Sequence, residues 1–483
     1  GRLARLAAMS PPAALSSLPA RALARLGAAA PPAALHRLSA RPRLLSTDPL
    51  STTEEDVDRY AFAQKHLMEG AGAPIAPIEM VSGEGTYVTA EDGRVYVDFT
   101  CGIGVTNLGH CHPRVVAAAQ RQCAKLIHGS VAIGRSSPLI DLTARLLDGV
   151  LPASHDKVMY ATTGAEAVEN ALRLARQATR RPNVIAFQGG YHGRTHLTVS
   201  LTRSKTAYGA GSAPHAAGIF VAPFPYETQQ PGLTAEGALH QLDLVLKQQT
   251  APTDTGAIIV EPVLGEGGYA PAPPGFLQGL RARCDDHGIL LIVDEVQSGY
   301  GRTGRMFAHE ESGVEPDILC VAKGIASGFP LSAISASSAI TKHSAPGSMG
   351  GTYAANPVAC AAAVATLNVF RDERILDNVL QRGAELTQGL RAIAERIPGA
   401  VKDVRGPGLM VGLELGDALG PGSAKRLSEA SARHGLLLLN TSVFENVRFI
   451  PPLNITSDAL QDGLMRFERA LRQVAKEAPG ARA

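Results

Sequence analysis

The chain has no tryptophan, few aromatic residues of any kind, and no apolar run long enough to span a membrane. Its six cysteines form no Cys-x-x-Cys pair and are too sparse for a disulfide framework. These absences argue against a helical membrane protein and against a small disulfide-stapled scaffold. They indicate reduced thiols in a reducing compartment, so we expect no membrane partner.

Acidic residues are missing from the first 47 positions, which contain seven arginines. Removing those seven from the 46 basic residues leaves 39 against 44 acidic ones, so the rest of the chain is mildly acidic. An acidic body argues against a nucleic-acid partner. With 45% hydrophobic and 19% charged residues, the remaining composition is that of an ordinary globular protein, and 483 residues predict roughly two or three domains.

Residues 1–47 are rich in Arg, Ala, Ser and Pro, and their arginines alternate with Leu and Ala. This composition is typical of an organellar transit peptide and predicts a mitochondrial matrix location. A disordered extension with no targeting role is the alternative.

The stretch from Gly288 to Lys323 contains two predicted buried strands that each end at a charged residue. The apolar run 289–293 ends at Asp294, and the predicted strand 317–322 is followed directly by Lys323. Open α/β sheets keep their sites at the carboxyl ends of strands, so an acid and a lysine there predict a cofactor between them. Either residue alone is more often a helix cap or a solvated surface charge.

A second candidate site lies at a predicted helix start. The strand 157–161 leads to Thr163, which has the spacing of a capping box with Glu166 and is the expected N-cap. Gly164 at the mouth of this helix would leave backbone N–H groups free for an anion, which the helix dipole favours. Most capping boxes only cap, and this one has no Walker A or Gly-x-Gly-x-x-Gly pattern.

The order strand, loop, helix recurs along the middle of the chain. Strand 183–187 precedes the loop with Tyr191, and strand 256–260 precedes the loop with Glu266. This order predicts an α/β fold whose mainly parallel sheet is flanked by helices on both faces. Later segments alternate short strands with amphipathic helices and indicate a smaller α+β domain. The predicted divisions are a transit segment 1–47, an N-terminal arm and hairpin 48–105, a large domain 106–370 and a small domain 371–483.

Two histidines two positions apart, His110 and His112, resemble part of a metal site. No acid or cysteine set completes it, so turn chemistry is the better interpretation and no metal is predicted.

Taken together, the motifs resemble those of class III, fold-type-I aminotransferases that use pyridoxal 5'-phosphate, over about residues 70 to 475. They are Thr-Gly-Ala-Glu-Ala, Tyr-His-Gly-Arg-Thr, Glu-Pro-Val-x-Gly-Glu-Gly-Gly, Asp-Glu-Val-Gln, a lysine 29 residues after that Asp, and Gly-Gly-Thr-Tyr. Within the family the chain is most similar to bacterial-type 4-aminobutyrate aminotransferases.

The resemblance implies a role for each matched residue. Lys323 would carry the cofactor as a Schiff base and then act as general base, and Asp294 would keep the pyridine nitrogen protonated. Gln297 would bind the phenolic oxygen, and Tyr191 would cover the ring beside His192. Gly164 and Ala165 would bind the phosphate, and Thr352 would reach it from the neighbouring subunit. A homodimer or higher homo-oligomer is therefore expected.

Four further residues match substrate positions of the family. Arg194 would hold the distal carboxylate, Arg448 the α-carboxylate of glutamate, and Glu266 would neutralise Arg448 when an ω-amino acid is bound. Ile103 would line the pocket. Without the surrounding motifs, a structural ion pair would explain each arginine about as well. Leu264 and Cys101 depart from the family pattern, and their effect on the pocket is open.

The implied activity is transfer of the amino group of an ω-amino acid, with 4-aminobutyrate preferred, to 2-oxoglutarate or pyruvate. With 2-oxoglutarate the products would be succinate semialdehyde and glutamate. An ornithine- or acetylornithine-type aminotransferase, or an aminomutase, is the alternative within the same fold. A catalytically silent binding or scaffold protein is the alternative from another class, and the presence of Lys323, Asp294 and Gln297 argues against it.

Overall fold

The computed structural model describes residues 59–72, 74–441 and 443–478. The predicted transit segment 1–47 lies outside this part of the chain. Two units are distinguished, residues 1–65 and 66–483, and nearly all of the described structure belongs to the second. None of the described helices is long and apolar enough to cross a membrane. The described helices are α1 (Arg59–His66), α2 (Cys101–Gly104), α3 (Pro113–Cys123), α4 (Ser137–Leu147), α5 (Gly164–Thr179), α6 (His196–Leu201), α7 (Ala235–Gln248), α8 (Phe276–His287), α9 (Ser338–Thr341), α10 (Pro357–Asp372), α11 (Ile375–Arg396), α12 (Ser423–Arg433) and α13 (Ser457–Lys476).

The main sheet has seven strands in the order β4-β12-β11-β10-β7-β5-β6. Its strands are β4 (Lys157–Ala161), β5 (Asn183–Phe187), β6 (Ile219–Ala222), β7 (Thr255–Val260), β10 (Leu290–Asp294), β11 (Ile318–Val321) and β12 (Ser332–Ala336). The remaining strands are β1 (Met80–Glu84), β2 (Tyr87–Ala90), β3 (Val95–Asp98), β8 (Val263–Leu264), β9 (Ala270–Pro271), β13 (Val401–Arg405), β14 (Val411–Leu415), β15 (Leu436–Leu437), β16 (Leu439–Thr441) and β17 (Asn446–Phe449).

The main sheet confirms the predicted mainly parallel α/β fold. Strands β11, β10, β7, β5 and β6 pair in parallel, and β7 is buried at every position, as its unbroken apolar sequence predicts. Strand β12 pairs antiparallel with both β11 and β4 and was not predicted from the sequence. Its sequence Ser-Ala-Ile-Ser-Ala has small residues and no long apolar run, so no strand pattern stood out.

Two smaller sheets accompany the main one. Strands β13, β14, β17 and β16 form an antiparallel sheet. The hairpin predicted within 48–105 is present as β2 and β3, turning near Asp92. Strand β3 then pairs in parallel with β15 from the far end of the chain. Chain segments distant in sequence therefore share one sheet.

Candidate active site

The two predicted strand ends meet in the centre of the main sheet. Strands β10 and β11 are parallel neighbours, and Asp294 lies opposite Cys320 in their register. Lys323 follows the end of β11 by two residues and begins a short 3-10 turn with a φ of +42°. A left-handed backbone is uncommon for lysine and is a mark of functional sites, where surrounding structure enforces it. The sheet thus brings the acid and the lysine to the same edge.

Asp294 is 4% exposed and is held by two hydrogen-bond donors. Its Oδ2 atom lies 2.8 Å from Nδ1 of His192, and its Oδ1 accepts from the Val296 amide at 3.0 Å. Burial would lower the pKa of His192, but the hydrogen bond and charge of Asp294 outweigh burial and raise it. The Nδ1–H group of the imidazole donates to the carboxylate. His192, predicted to lie beside the cofactor ring, is therefore the direct partner of Asp294.

Lys323 is partly buried, and burial lowers its pKa to about 8. The carboxylates of Glu266, Glu261 and Asp294 oppose this change, whereas Arg448 adds to it. A lysine with a lowered pKa supplies a neutral amine near physiological pH, which is the form that acts as nucleophile or general base.

The start of α5 lies against both strand ends. Thr163 and Glu166 form the predicted capping box, in which the Glu166 carboxylate also accepts from the Thr162 amide. A Cβ added to Gly164 would lie 2.9 Å from Val296 and 3.7 Å from Ala322, the residues next to the site's acid and lysine. The first amides of the helix have no intrahelical acceptor. This helix start therefore provides an anion-binding end within the site.

Glu261, which sequence analysis did not single out, joins two loops of the site. One carboxylate oxygen accepts from the Tyr191 amide at 2.7 Å, and the other accepts from the Gly265 amide at 3.0 Å. The side chain is buried, and burial raises its pKa to about 7. The available signal was its position immediately after β7, which is the same pattern that identified Asp294.

Gln297 carries an unmet hydrogen-bonding need. Its side-chain oxygen is buried and has no partner among the described residues. A Cβ added to Gly265 would lie 3.0 Å from its amide nitrogen, and one added to Gly104 would lie 3.7 Å from its Cγ. A buried orphan oxygen is costly, so this atom suits a polar ligand group.

Arg448 and Glu266 form a buried ion pair, with exposed side-chain fractions of 3% and 12%. Burial would raise the pKa of Glu266, but the charge and hydrogen bond of Arg448 lower it to about 2. Two residues that the sequence analysis missed also bind this carboxylate. Tyr208 donates its hydroxyl to Oε2 at 2.9 Å, and Thr441 donates to the same oxygen at 3.0 Å. No sequence signal linked them, because they come from distant loops and strands.

The structure also locates the remaining predicted residues. Arg194 is exposed, and its guanidinium interacts with the Tyr191 hydroxyl. Thr352 is exposed on a loop where the neighbouring Gly351 would place a Cβ 3.9 Å from Glu166. Ile103 has a φ of +69° and is 44% exposed, next to the Gly104 that packs on Gln297. Their roles in binding stay predictions.

The two departures from the family pattern are both buried. Leu264 lies against Gly189, where an added Cβ would be 3.0 Å from its Cδ1. Cys101 has a φ of +48°, and burial raises the pKa of its thiol to about 12. Their effect on substrate choice remains untested.

The geometry fits pyridoxal phosphate. A helix start suits its phosphate group, and Asp294 suits its ring nitrogen. Gln297 can bind a ring oxygen through its amide, and Lys323 can react with the aldehyde carbon. All four groups converge on one edge of the main sheet. The hydrogen-bonded His192 keeps the acid oriented for this task.

Known proteins with similar sequences and folds point the same way. The family model described as aminotransferase class-III matches residues 69–471. The 5-aminovalerate aminotransferase of Pseudomonas putida is 43% identical over 88% of this chain and 100% of its own length. The 4-aminobutyrate aminotransferase of Escherichia coli is 43% identical over 81% and 92%. The solved ornithine aminotransferase of Toxoplasma gondii, described with partial occupancy of PLP at its active site, has a TM-score of 0.78 at 29% identity, over 88% of this chain and 96% of that one.

The family match covers most of the chain, including the matched positions from Gly164 to Arg448. Lys323, Asp294 and the start of α5 lie where a pyridoxal phosphate enzyme needs an amine, an acid and an anion site. The chain belongs to the class III aminotransferases, enzymes that use pyridoxal 5'-phosphate.

Proposed function

We propose that this enzyme takes the amino group from an ω-amino acid, with 4-aminobutyrate preferred, and delivers it to 2-oxoglutarate. The observation that carries this proposal is the buried pair of Arg448 and Glu266. An arginine already neutralised by the enzyme's own carboxylate suits a donor that lacks an α-carboxylate. The curated relatives named for 5-aminovalerate and 4-aminobutyrate support the same substrate class.

The cofactor, when bound, supplies an electron sink for the negative charge that develops at the substrate carbon. The chain's own groups do the rest. The neutral amine of Lys323 would move the proton, and its lowered pKa of about 8 makes this form more populated than in an ordinary lysine. Asp294, oriented by His192, would offset the positive charge of the ring nitrogen, and the amides at Gly164 and Ala165 would hold the phosphate.

The two carboxylate positions have different duties. Arg194 would hold the carboxylate that 4-aminobutyrate and glutamate share. Arg448 would hold the α-carboxylate that only glutamate has, after Glu266 moves away. A buried arginine without any carboxylate is costly, so either Glu266 or the α-carboxylate of the substrate must always pair with Arg448.

A donor-by-acceptor panel tests the substrate. The donors are 4-aminobutyrate, 5-aminovalerate, β-alanine and N-acetylornithine, each with 2-oxoglutarate and with pyruvate. We expect the highest kcat/KM with 4-aminobutyrate and 2-oxoglutarate. A higher value with N-acetylornithine would instead assign the acetylornithine-type activity, and the absence of turnover with every pair would favour a silent scaffold.

We also propose that the active unit is a homodimer. Exposed apolar residues surround the loop of Thr352, where the Tyr353 ring lies 5.4 Å from that of His128 and Asn356 bonds to the Ile127 carbonyl. The exposed fractions of Ile127 and Tyr353 are 65% and 66%. Such a patch on a soluble protein marks an interaction surface. Light scattering should show a dimer for the native enzyme and a monomer for Ile127→Asp, whereas a monomeric native enzyme would refute the proposal.

The location proposed for the enzyme is the mitochondrial matrix, on the composition of residues 1–47 alone. Deleting this segment should abolish mitochondrial import of a fluorescent fusion while leaving kcat and thermal stability unchanged. Import of the deleted form would contradict the assignment.

A further inference from the structure

The carboxylate of Glu266 is held by more than its arginine. Oε1 pairs with Arg448, while Oε2 accepts the Tyr208 hydroxyl at 2.9 Å and the Thr441 hydroxyl at 3.0 Å. The Thr441 hydroxyl also lies 3.0 Å from the main-chain oxygen of Glu266. These donors come from a 3-10 turn, from β16 and from β17. Three separate segments therefore fix one side chain.

We propose that Tyr208 and Thr441 form a latch that holds Glu266 on Arg448 and thereby sets how weakly the enzyme binds substrates with an α-carboxylate. The inference rests on the proposed exchange of Glu266 for that carboxylate. When the exchange occurs, Arg448 regains a carboxylate from the substrate. The Tyr208 bond to Oε2 is then lost, and the single Thr441 proton, shared between Oε2 and the Glu266 main-chain oxygen, keeps only the main-chain acceptor. Both hydroxyl groups therefore bias the site toward the closed arrangement, and Tyr208 does so more strongly.

Tyr208 is positioned by packing as well as by its hydroxyl. Its ring centroid lies 5.1 Å from that of Tyr191 in a T-shaped contact, and Nζ of Lys205 lies over the ring face, 5.4 Å from the ring centroid. Phenylalanine can make the same ring contacts. Tyr208→Phe therefore removes one hydrogen bond to Glu266 and little else.

The expected effect follows from population arithmetic. A ligand that binds only the open arrangement has an apparent Kd equal to its intrinsic Kd divided by the open fraction. Removing one hydrogen bond to a charged group should increase the open population about tenfold. Tyr208→Phe should therefore lower the Kd for a dicarboxylate and the KM for glutamate about tenfold, with kcat for glutamate unchanged. The KM for 4-aminobutyrate should stay constant as long as the closed arrangement remains dominant.

The chain offers a matched control. Tyr226 donates to Glu414 at 3.3 Å, and Glu414 pairs with Arg405 at 2.9 Å, so the same three residue types recur outside the site. We would compare native holoenzyme, Tyr208→Phe and Tyr226→Phe. Calorimetry with glutarate and butyrate gives binding without reaction, and single-turnover kinetics with glutamate and 4-aminobutyrate give KM and kcat for each half-reaction.

The latch predicts tighter glutarate binding in Tyr208→Phe, no change in butyrate binding, and neither change in Tyr226→Phe. A Kd for glutarate that is unchanged or higher in Tyr208→Phe overturns it. Arg448→Ala distinguishes a failure of the latch from a failure of the carboxylate exchange. If that variant selectively loses glutamate while Tyr208→Phe has no effect, only the latch is wrong. If Arg448→Ala slows both half-reactions equally, the carboxylate exchange is wrong and the latch falls with it.

Discussion

Two clusters of the same residue types, one around Arg448 and one around Arg405, differ in two respects. Arg448 pairs with a single carboxylate, Glu266, whereas Arg405 pairs with two, Asp403 at 2.8 Å and Glu414 at 2.9 Å. Each cluster includes a tyrosine whose hydroxyl donates to the glutamate. If Glu414 moved, Arg405 would keep a carboxylate, but if Glu266 moved, Arg448 would need one from the substrate.

The second difference is proximity to the reacting group. Glu266 and Arg448 both influence the pKa of Lys323. Glu414 instead bonds with Tyr226 and Gln229, and Arg405 also donates to the Gly268 carbonyl at 2.9 Å. We interpret the Arg405 cluster as a fixed structural ion pair and the Arg448 cluster as an exchangeable one. The residue types in an ion pair therefore indicate its role less well than the number of carboxylates around the arginine and the position of the pair in the fold.

The largest effect is expected at Lys323, whose pKa the Arg448 cluster influences. Lys323→Ala removes both the covalent anchor and the proton carrier, so turnover should fall at least about 1000-fold. The exposed Lys402→Ala, on the structural side of the comparison, should retain native turnover. Borohydride reduction of the holoenzyme and peptide mapping should tag Lys323, and a tag on any other lysine would refute its role.

The next effect contrasts the two arginines directly. Arg448→Ala should reduce kcat/KM for the glutamate half-reaction about 30- to 1000-fold and affect 4-aminobutyrate less, because only glutamate's α-carboxylate needs this residue. Arg405→Ala should instead lower the free energy of unfolding by about 3 kcal/mol, because the buried Glu414 and the partly exposed Asp403 lose their counter-charge. Single-turnover kinetics and urea denaturation measure the two effects. A substrate-selective loss in Arg405→Ala would break the comparison.

A smaller effect is expected where a carboxylate binds only main-chain amides. Glu261→Gln leaves one oxygen for the amides of Tyr191 and Gly265, so it should lower the free energy of unfolding by about 2 kcal/mol and raise KM. Glu445 accepts the amides of Gly422 and Ala424 at 2.6 and 2.7 Å, away from the site. Glu445→Gln should lose stability without changing KM. Equal KM values in the two variants would show that Glu261 does not position substrate.

The smallest effect is a change in pH dependence. Lys323 of the apoenzyme should react with an acylating reagent as its neutral form appears, with a midpoint near the pKa of about 8. Glu266 stabilises the ammonium form, so Glu266→Gln should move the midpoint to lower pH, whereas Glu414→Gln should leave it in place. Mass spectrometry of the Lys323 peptide across pH gives the midpoint. A move to higher pH would contradict the assigned electrostatics.

Local sequence patterns were sufficient to predict several strands of the main sheet. Strands 157–161 and 183–187 were predicted with their observed bounds, and the Thr163 cap was predicted from the spacing to Glu166. These features depend on apolar runs, turn residues and capping groups that lie next to each other in the chain. The convergence of Asp294 and Lys323 was also predictable, because neighbouring parallel strands place their carboxyl ends at one edge.

Contacts between distant segments could not be predicted in the same way. The antiparallel insertion of β12, the pairing of β3 with β15 and the two loops that meet at Glu261 all depend on the order of strands in the sheets. Glu266 makes the point most clearly. Its sequence motif identified it as a partner for Arg448, but only the folding of β16 and the turn at Tyr208 against it supplied the two hydroxyl groups that hold it there. Sequence determined which chemical groups the site has, and tertiary structure decided which of them share a hydrogen bond, because that depends on distances between segments far apart in the chain.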